Sequence, residues 1–345
     1  MSARVQTEAV PDPARRAYWD ALTGGNSAAA VQVALGLRRA GVALVDVLEG
    51  LVAAAQVEVG ALWAANRWNV AQEHRATSVS EDVVAALAAT VEAAPDQGRA
   101  VVTCVDGEWH SLPARVVAAV LREGGWTVHY LGASVPADHL AQFLRDSGSD
   151  LTALSCSLPT GLPRARRMIE ASRQSGVPVI VGGPGFGPSG RWGMTLGANG
   201  TAGDARRALA AISSGSWPAY TDPAPPHRQP DRSADLLRRH RRELVDCSMS
   251  QLAKRWPALA TCDGRQLERT EEDLGHLVGF LEAALFVDDP ELYTGFTTWL
   301  GDVLSARDVP RRALTVGLET TSGAVSAVLG DQPRAQRFLA AALAT

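Results

Sequence analysis

Between residues 99 and 214 the chain repeats one pattern, and that pattern restricts the fold more than any other feature. Short runs of β-branched and apolar residues (AVVTCV, TVHYLGA, LTALSCS, PVIVGG and a shorter ANGTAG) alternate with helical stretches over residues 113–123, 136–147, 162–175 and 204–212. Parallel neighbours need a long crossover and a helix supplies it, so the alternation predicts a mainly parallel, doubly wound, Rossmann-like sheet. Ligands of such sheets bind beyond the carboxyl ends of the strands. There this sequence places small and polar residues. The first strand runs into Asp106-Gly107, then Glu108, Trp109 and His110, before Pro113 opens a helix. The third is followed by Ser155, Ser157 and Thr160, and the fourth by Gly182-Gly183-Pro184-Gly185. Glycines at that edge are expected to let the backbone approach a bulky ligand. A nucleotide loop does not explain them, since the first turn lacks G-x-G-x-x-G and G-x-x-x-x-G-K-[ST] is absent. His110 is expected in an exposed loop, where a lone histidine is more often solvated than a ligand.

The flanks read as helix, giving a multi-domain α and α/β chain. Residues 12–95 carry apolar positions at helical spacing in AAVQVALGLRRAG, ALVDVLEGLVAAAQVEVGALWAANRW and SEDVVAALAATVEAA, which predicts a small antiparallel bundle. Trp63 falls near the end of one helix. Asn69 and Gln72 form an N-cap and capping box for the next, whose first turn carries Glu73 and His74. The sheet domain is expected over residues 98–214. Residues 215–231 are dense in proline and read as a semi-rigid linker with a solvated His227. Residues 232–345 return to helix alone, an all-α domain of roughly globin size. In it Phe280, Phe286, Tyr293, Phe296 and Trp299 make an aromatic stripe of the kind that usually forms core. Asp273 and His276 lie one turn apart on one helix face with Arg269 a turn earlier, while Arg307, Arg311 and Arg312 cluster at a later helix end and His240 sits among arginines, expected exposed.

Composition narrows the function classes. A hydrophobic share of 46% and a charged share of 20% are globular values. The net charge of −4 comes without a Lys/Arg cluster, which argues against nucleic-acid and membrane partners. Cys104, Cys156, Cys247 and Cys262 show no C-x-x-C spacing and read as reduced thiols. The first residues lack the apolar segment of a signal peptide and no run approaches spanning length, so a cytoplasmic location is expected. No stretch is long enough for a substrate barrel, and no catalytic activity of its own is expected.

Glu108-Trp109-His110-Ser111-Leu112-Pro113, the serines at 155 and 157, and Gly182-Gly183 together resemble the signature of cobalamin-binding proteins, D/E-x-H-x-x-G, then S-x-L, then G-G. Pro113 stands where that signature has Gly, and Ser157 where it has Leu. The resemblance implies His110 as the lower cobalt ligand with Glu108 fixing its tautomer. It also implies Trp109, Leu112, Ser155, Ser157, Thr160, Gly182, Gly183 and Gly185 around the corrin and its tail. Imidazole nitrogen suits cobalt, and a carboxylate on the other ring nitrogen is the usual second partner. Trp63 followed by nine residues and Glu73-His74 matches W-x9-E-H, which resembles the cobalamin-dependent photoreceptors and not the carriers of methyl transfer. That implies adenosylcobalamin shielded by Trp63 with Glu73 beside it, and His74 as the upper ligand after light breaks the Co–C bond.

A cobalamin module followed by an all-α domain resembles the photocobilins, which add biliverdin in a globin-like domain. On that resemblance Arg269, Asp273, His276, Tyr293, Trp299 and Arg307 are the expected bilin contacts, and covalent attachment through Cys247 or Cys262 stays open. The implied function is a light sensor signalling through conformation or light-dependent assembly with further copies of itself. Two alternatives stand beside it: a corrinoid carrier serving a methyltransferase, and a globin-type haem sensor with His276 on the iron.

Overall fold

The computed structural model describes residues 10–92, 96–215 and 232–345. The linker, apart from Gly215, and His227 within it lie outside the described residues. Contacts divide the chain into two compact units, one made by the N-terminal helices with the sheet, the other by the C-terminal helices together with Leu158–Pro163.

The chain opens with α1 (Asp12–Gly24), which Gly25 ends in a left-handed conformation, and α2 (Ser27–Arg39), whose first turn is capped by the Asn26 side chain. Next come α3 (Leu44–Val47), a π-helical stretch at Leu48–Ala53, and α4 (Ala54–Ala64), which run on as a single rod. The bundle closes with α5 (Val70–Ala88), started by the Asn69–Gln72 capping box that the spacing predicts. By length and composition the rod Leu44–Ala64 could cross a membrane, with mean hydropathy 1.4. This corrects the expectation that no segment reaches that length. The bundle core takes up part of its apolarity, since Leu44, Val47, Leu48, Leu51, Val52 and Val59 are buried, while Val57 is exposed.

The sheet follows the expected alternation. Strand β1 (Gly98–Cys104) leads into α6 (Leu112–Glu123), and β2 (Trp126–Gly132) into α7 (Ala137–Ser147). Strand β3 (Leu151–Ser155) precedes α8 (Leu162–Gln174). After β4 (Val179–Gly182) comes a short α9 (Arg191–Thr195), which the sequence patterns do not announce, and β5 (Gly200–Ala202) leads into α10 (Ala205–Ser213). All pairs are parallel, in the order β2-β1-β3-β4-β5. The order reverses between β1 and β3, so the carboxyl ends of these two central strands make the switch point.

Helix α6 has two apolar faces. Ala114, Ala118 and Leu121 pack with Ala100, Val102, Leu151, Ala153 and Ile180 against the sheet. Leu112, Val116, Ala119 and Val120 belong instead to the core of the bundle. Sheet and bundle are therefore one unit with a continuous interior. Polar bonds at its margin, Arg38 Nη2 to Glu123 Oε1 at 2.6 Å and Arg206 to both Asp46 and Glu49, add to this seam.

The second unit contains α11 (Arg232–Arg239), α12 (Arg241–Arg255), α13 (Gly264–Val287), α14 (Pro290–Ser305), α15 (Arg311–Leu329) and α16 (Pro333–Leu343). The aromatic stripe supplies part of its core. The Phe280 and Phe296 rings stack with centroids 3.6 Å apart, and Tyr293 is fully buried, whereas Trp299 is exposed.

Leu112 thus sits in the core shared by bundle and sheet, not on the loop surface. Leu112→Ala should destabilise the cofactor-free protein by about 2–5 kcal/mol, the usual cost of truncating a buried leucine. Denaturant unfolding monitored by circular dichroism checks this, and a midpoint equal to wild type would remove Leu112 from the core.

Candidate cofactor site

The loop after β1 is built to present one histidine. Asp106-Gly107 turns the chain with Gly107 at φ 74°, and the Gly107 amide donates to Ser134 Oγ at 3.0 Å. The Val105 amide donates to the Ser155 carbonyl at 2.9 Å, tying the loop to the end of β3. Within it Glu108 is only 5% exposed, a carboxylate in the interior. Backbone and side-chain donors meet it. The Ser157 amide donates to Oε2 at 2.7 Å, the His110 amide donates to Oε1 at 2.9 Å, and His110 Nδ1 lies 2.6 Å from Oε1. Burial acts to raise the Glu108 pKa, but the hydrogen bonds from His110 and Ser157 outweigh it and bring it down to about 2.

The carboxylate orients the ring. Nδ1 is committed to Glu108, while the side chain is 60% exposed and Nε2 has no hydrogen-bond partner among the described residues. The hydrogen bond to Glu108 raises the His110 pKa against the opposing effect of burial, with Glu108 and Glu73 charges adding to the rise. Glu73, on the bundle, is thus within electrostatic reach of His110. Beneath the loop Cys104 is buried, and burial with the nearby Glu108 charge pushes its thiol up to about 12, so it stays protonated. No group of three or more His, Cys, Asp or Glu able to hold a bare metal ion occurs among the described residues. An exposed imidazole nitrogen oriented by a carboxylate is instead the donor set for one axial position of a metal that arrives with its own equatorial ligands. The residues present fit a cobalt corrinoid.

The other residues expected around the ligand divide. Trp109 is 75% exposed beside His110. Ser155 is buried at the end of β3 and Ser157 half-buried, both at the same edge. Thr160 lies in the 3-10 turn Pro159–Gly161, which groups with the second unit and not with the serines. The glycines have a packing role that the sequence does not announce. A Cβ at Gly183, where φ is 97°, would stand 2.4 Å from the Cys156 carbonyl oxygen, and one at Gly185 would meet Cys156 Sγ at 2.7 Å. The loop after β4 packs so closely against the end of β3 that neither position has room for a side chain. Sequence reasoning missed Arg164. Its guanidinium borders Gly107, and its Nε is buried with no hydrogen-bond partner among the described residues.

On the bundle, Trp63 is half-buried near the end of α4, Glu73 half-buried and His74 exposed, with His74 Nε2 3.4 Å from Glu73 Oε2. Thr77 Oγ1 donates to Glu73 Oε1 at 3.0 Å. In the second unit Asp273 is half-buried, and burial raises its pKa while His276, Arg307 and Arg269 pull the other way. The Tyr293 hydroxyl is fully buried without a hydrogen-bond partner among the described residues. His240 pairs with Glu243 at 3.0 Å.

Residues 98–213 match the B12 binding domain family, and residues 14–88 match a second family of B12 binding domains. The chain is a cobalamin-binding protein. Dimethylamine corrinoid protein 1 of Methanosarcina acetivorans is 27% identical over 145 residues, covering 40% of this chain and 68% of the relative. Dimethylamine corrinoid protein 3 of Methanosarcina mazei is 30% identical over 83 residues, covering 23% of this chain and 50% of the relative. The structure of the Methanosarcina barkeri monomethylamine corrinoid protein superposes with a TM-score of 0.51 at 20% identity, covering 57% of this chain and 96% of that one, and shares the fold.

The sign of the two shifts sets a pH window. The lowered Glu108 value stabilises the fold above the ordinary 4.5 and is lost as pH falls through about 2. The raised His110 value stabilises below the ordinary 6.5 and is lost as pH rises through its folded value. Between 4.5 and 6.5 both contributions are present. Glu108→Gln should therefore cost the cofactor-free protein most stability in that window. The His110 titration, followed by NMR, should return toward 6.5. A His110 titration identical in the variant would mean that Glu108 does not hold the ring.

Proposed function

We propose that the chain is a corrinoid carrier serving a methyl-transfer partner. One observation carries this reading, the Glu108-oriented imidazole of His110 at the switch point of a B12 binding domain. The corrinoid proteins it resembles lend support. When bound, the cofactor supplies a cobalt–carbon bond, able to pass on a methyl group or, in the adenosyl form, to break in light. His110 would hold the cobalt through its exposed Nε2. Trp109, Ser155 and Ser157 stand at the edge where the ring and its tail would lie, and Trp63, Glu73 and His74 cover the upper side from the bundle.

A second reading is a light sensor, favoured by the placement of Glu73, which touches His74 and acts electrostatically on His110. In this reading adenosylcobalamin would be the dark form, held by His110, and His74 would be the residue available to the cobalt after illumination. In this reading the second unit takes biliverdin. Asp273, with His276, Arg269 and Arg307 around it, offers an acceptor for pyrrole N–H groups and cations for propionates, and the orphaned Tyr293 hydroxyl a further donor. Signalling would then run through a light-dependent change of assembly.

Absorption spectra and size-exclusion profiles of the full chain, loaded with methyl- or adenosylcobalamin and kept dark or illuminated, separate the readings. His110→Ala should lose the histidine-bound spectrum under both, and weaken retention by at least the roughly 10- to 100-fold typical of outer-shell changes. Retention equal to wild type removes His110 from the cobalt. A carrier passes its methyl group on and keeps the same size in light. The sensor reading requires an illuminated spectrum with two histidines that His74→Ala abolishes, and a long-wavelength band on adding biliverdin. A Soret band with haem, and no uptake of biliverdin, would discard the bilin assignment.

A further inference from the structure

The bundle hides a line of polar side chains in an otherwise apolar interior. From Glu73 Oε1 it passes to Thr77 Oγ1 at 3.0 Å, then to Gln56 Oε1 at 3.1 Å, from Gln56 Nε2 to Ser80 Oγ at 2.8 Å, and from Ser80 Oγ to the Tyr18 hydroxyl at 3.1 Å. Ser80 and Tyr18 are completely buried, and burial raises the Tyr18 pKa, so that end of the line is dry and neutral. Glu73, Thr77 and Ser80 stand at i, i+4 and i+7 on α5, and Gln56 stands two turns before Trp63 on α4. The line therefore joins the two helices that carry Trp63 and His74: Gln56 shares the face of Trp63 on α4, and the line ends at Glu73, the residue before the exposed His74 on α5.

Counting protons gives it a direction. The Thr77 hydroxyl has one proton and two acceptors in reach, the Glu73 carboxylate and the Gln56 amide oxygen. Turning the Gln56 amide over exchanges its oxygen and nitrogen and satisfies every group. Tyr18 then donates to Ser80, Ser80 to Gln56 Oε1, Gln56 Nε2 to Thr77, and Thr77 to the Glu73 carboxylate. Hydrogen bonds chained in one sense polarise one another and end on a charge. An apolar set of the same shape would pack the bundle at no desolvation cost but would leave Oε1 of Glu73 without a donor.

We propose that Thr77 and Gln56 are positioning residues for Glu73 and, through it, for His74. The line takes up Oε1 and leaves Oε2 for the His74 ring. This rests on the reading of His74 as an upper-face residue only for its consequence at the cobalt; the positioning itself exists in the protein without cofactor.

The test uses the full chain in two states. In cofactor-free protein, Thr77→Val and Gln56→Leu should shift the His74 ring nitrogen resonances toward those of a free imidazole, and Thr77→Ser should keep them as in wild type. In hydroxocobalamin-loaded protein, the first two variants should keep the lower-face histidine spectrum and lose at least tenfold in the fraction with a histidine on the upper face, again with recovery in Thr77→Ser. Circular dichroism confirms that each variant is folded, and Ser80→Ala, one bond further from Glu73, should give the same change more weakly. His74 resonances unmoved in Thr77→Val and Gln56→Leu overturn the proposal. Absence of an upper-face histidine in wild type overturns the light-sensing reading instead, while the cofactor-free resonances still decide the positioning.

Discussion

The buried carboxylate of Glu108 is the point on which the site depends. An acid in the interior loses its hydration and persists as a charge only where donors replace the water. Here two backbone amides and one imidazole do so. Each donor ties down something different. The Ser157 amide joins the loop after β1 to the segment after β3, the His110 amide closes the loop on itself, and Nδ1 sets the tautomer and plane of the ring. The exposed Nε2 is a product of that arrangement. It explains how a largely exposed histidine can have a defined direction.

The same loop depends on the interior behind it. Helix α6 starts at Leu112, two residues after His110, and shares one face with the sheet and the other with the bundle. The loop is thereby anchored in a core that both layers own. A cap resting on the sheet by polar contacts alone would open easily. Shared burial of Leu112, Val116, Ala119 and Val120 makes separation cost apolar exposure, and the bundle that carries Glu73 is held to the sheet by it.

The two units were unequally legible. In the first, period changes along the chain correspond to real layers, because a strand buried on both faces reads as a continuous apolar run and an amphipathic helix cannot. The His110 motif is local, with ligand and orienting acid two residues apart, so a short stretch of sequence contains it. In the second unit the helices were readable from their periodicity, but the ligand question was not. Aromatic residues at helical spacing serve equally as core or as cofactor wall, and here Phe280 stacks on Phe296 while Tyr293 is buried with a hydroxyl that has no hydrogen-bond partner among the described residues.

The sequence by itself determined the parallel sheet, the helical flanks, the capping box at Asn69 and the pairing of Glu108 with His110, since each rests on residues close in the chain. Tertiary structure decided the rest. It turned the glycines after β4 into a packing device against Cys156 and moved Leu112 into the core. It also brought Arg164 to the histidine loop, and assembled Tyr18, Gln56, Thr77 and Ser80 into one line behind Glu73. The only trace of that line along the chain is the polar stripe Glu73, Thr77 and Ser80 on a helix that is otherwise apolar on that side. Its other members come from the preceding helix and from α1, 62 residues before Ser80, and which side chains meet there is set by how three helices pack, a relation that no local pattern encodes.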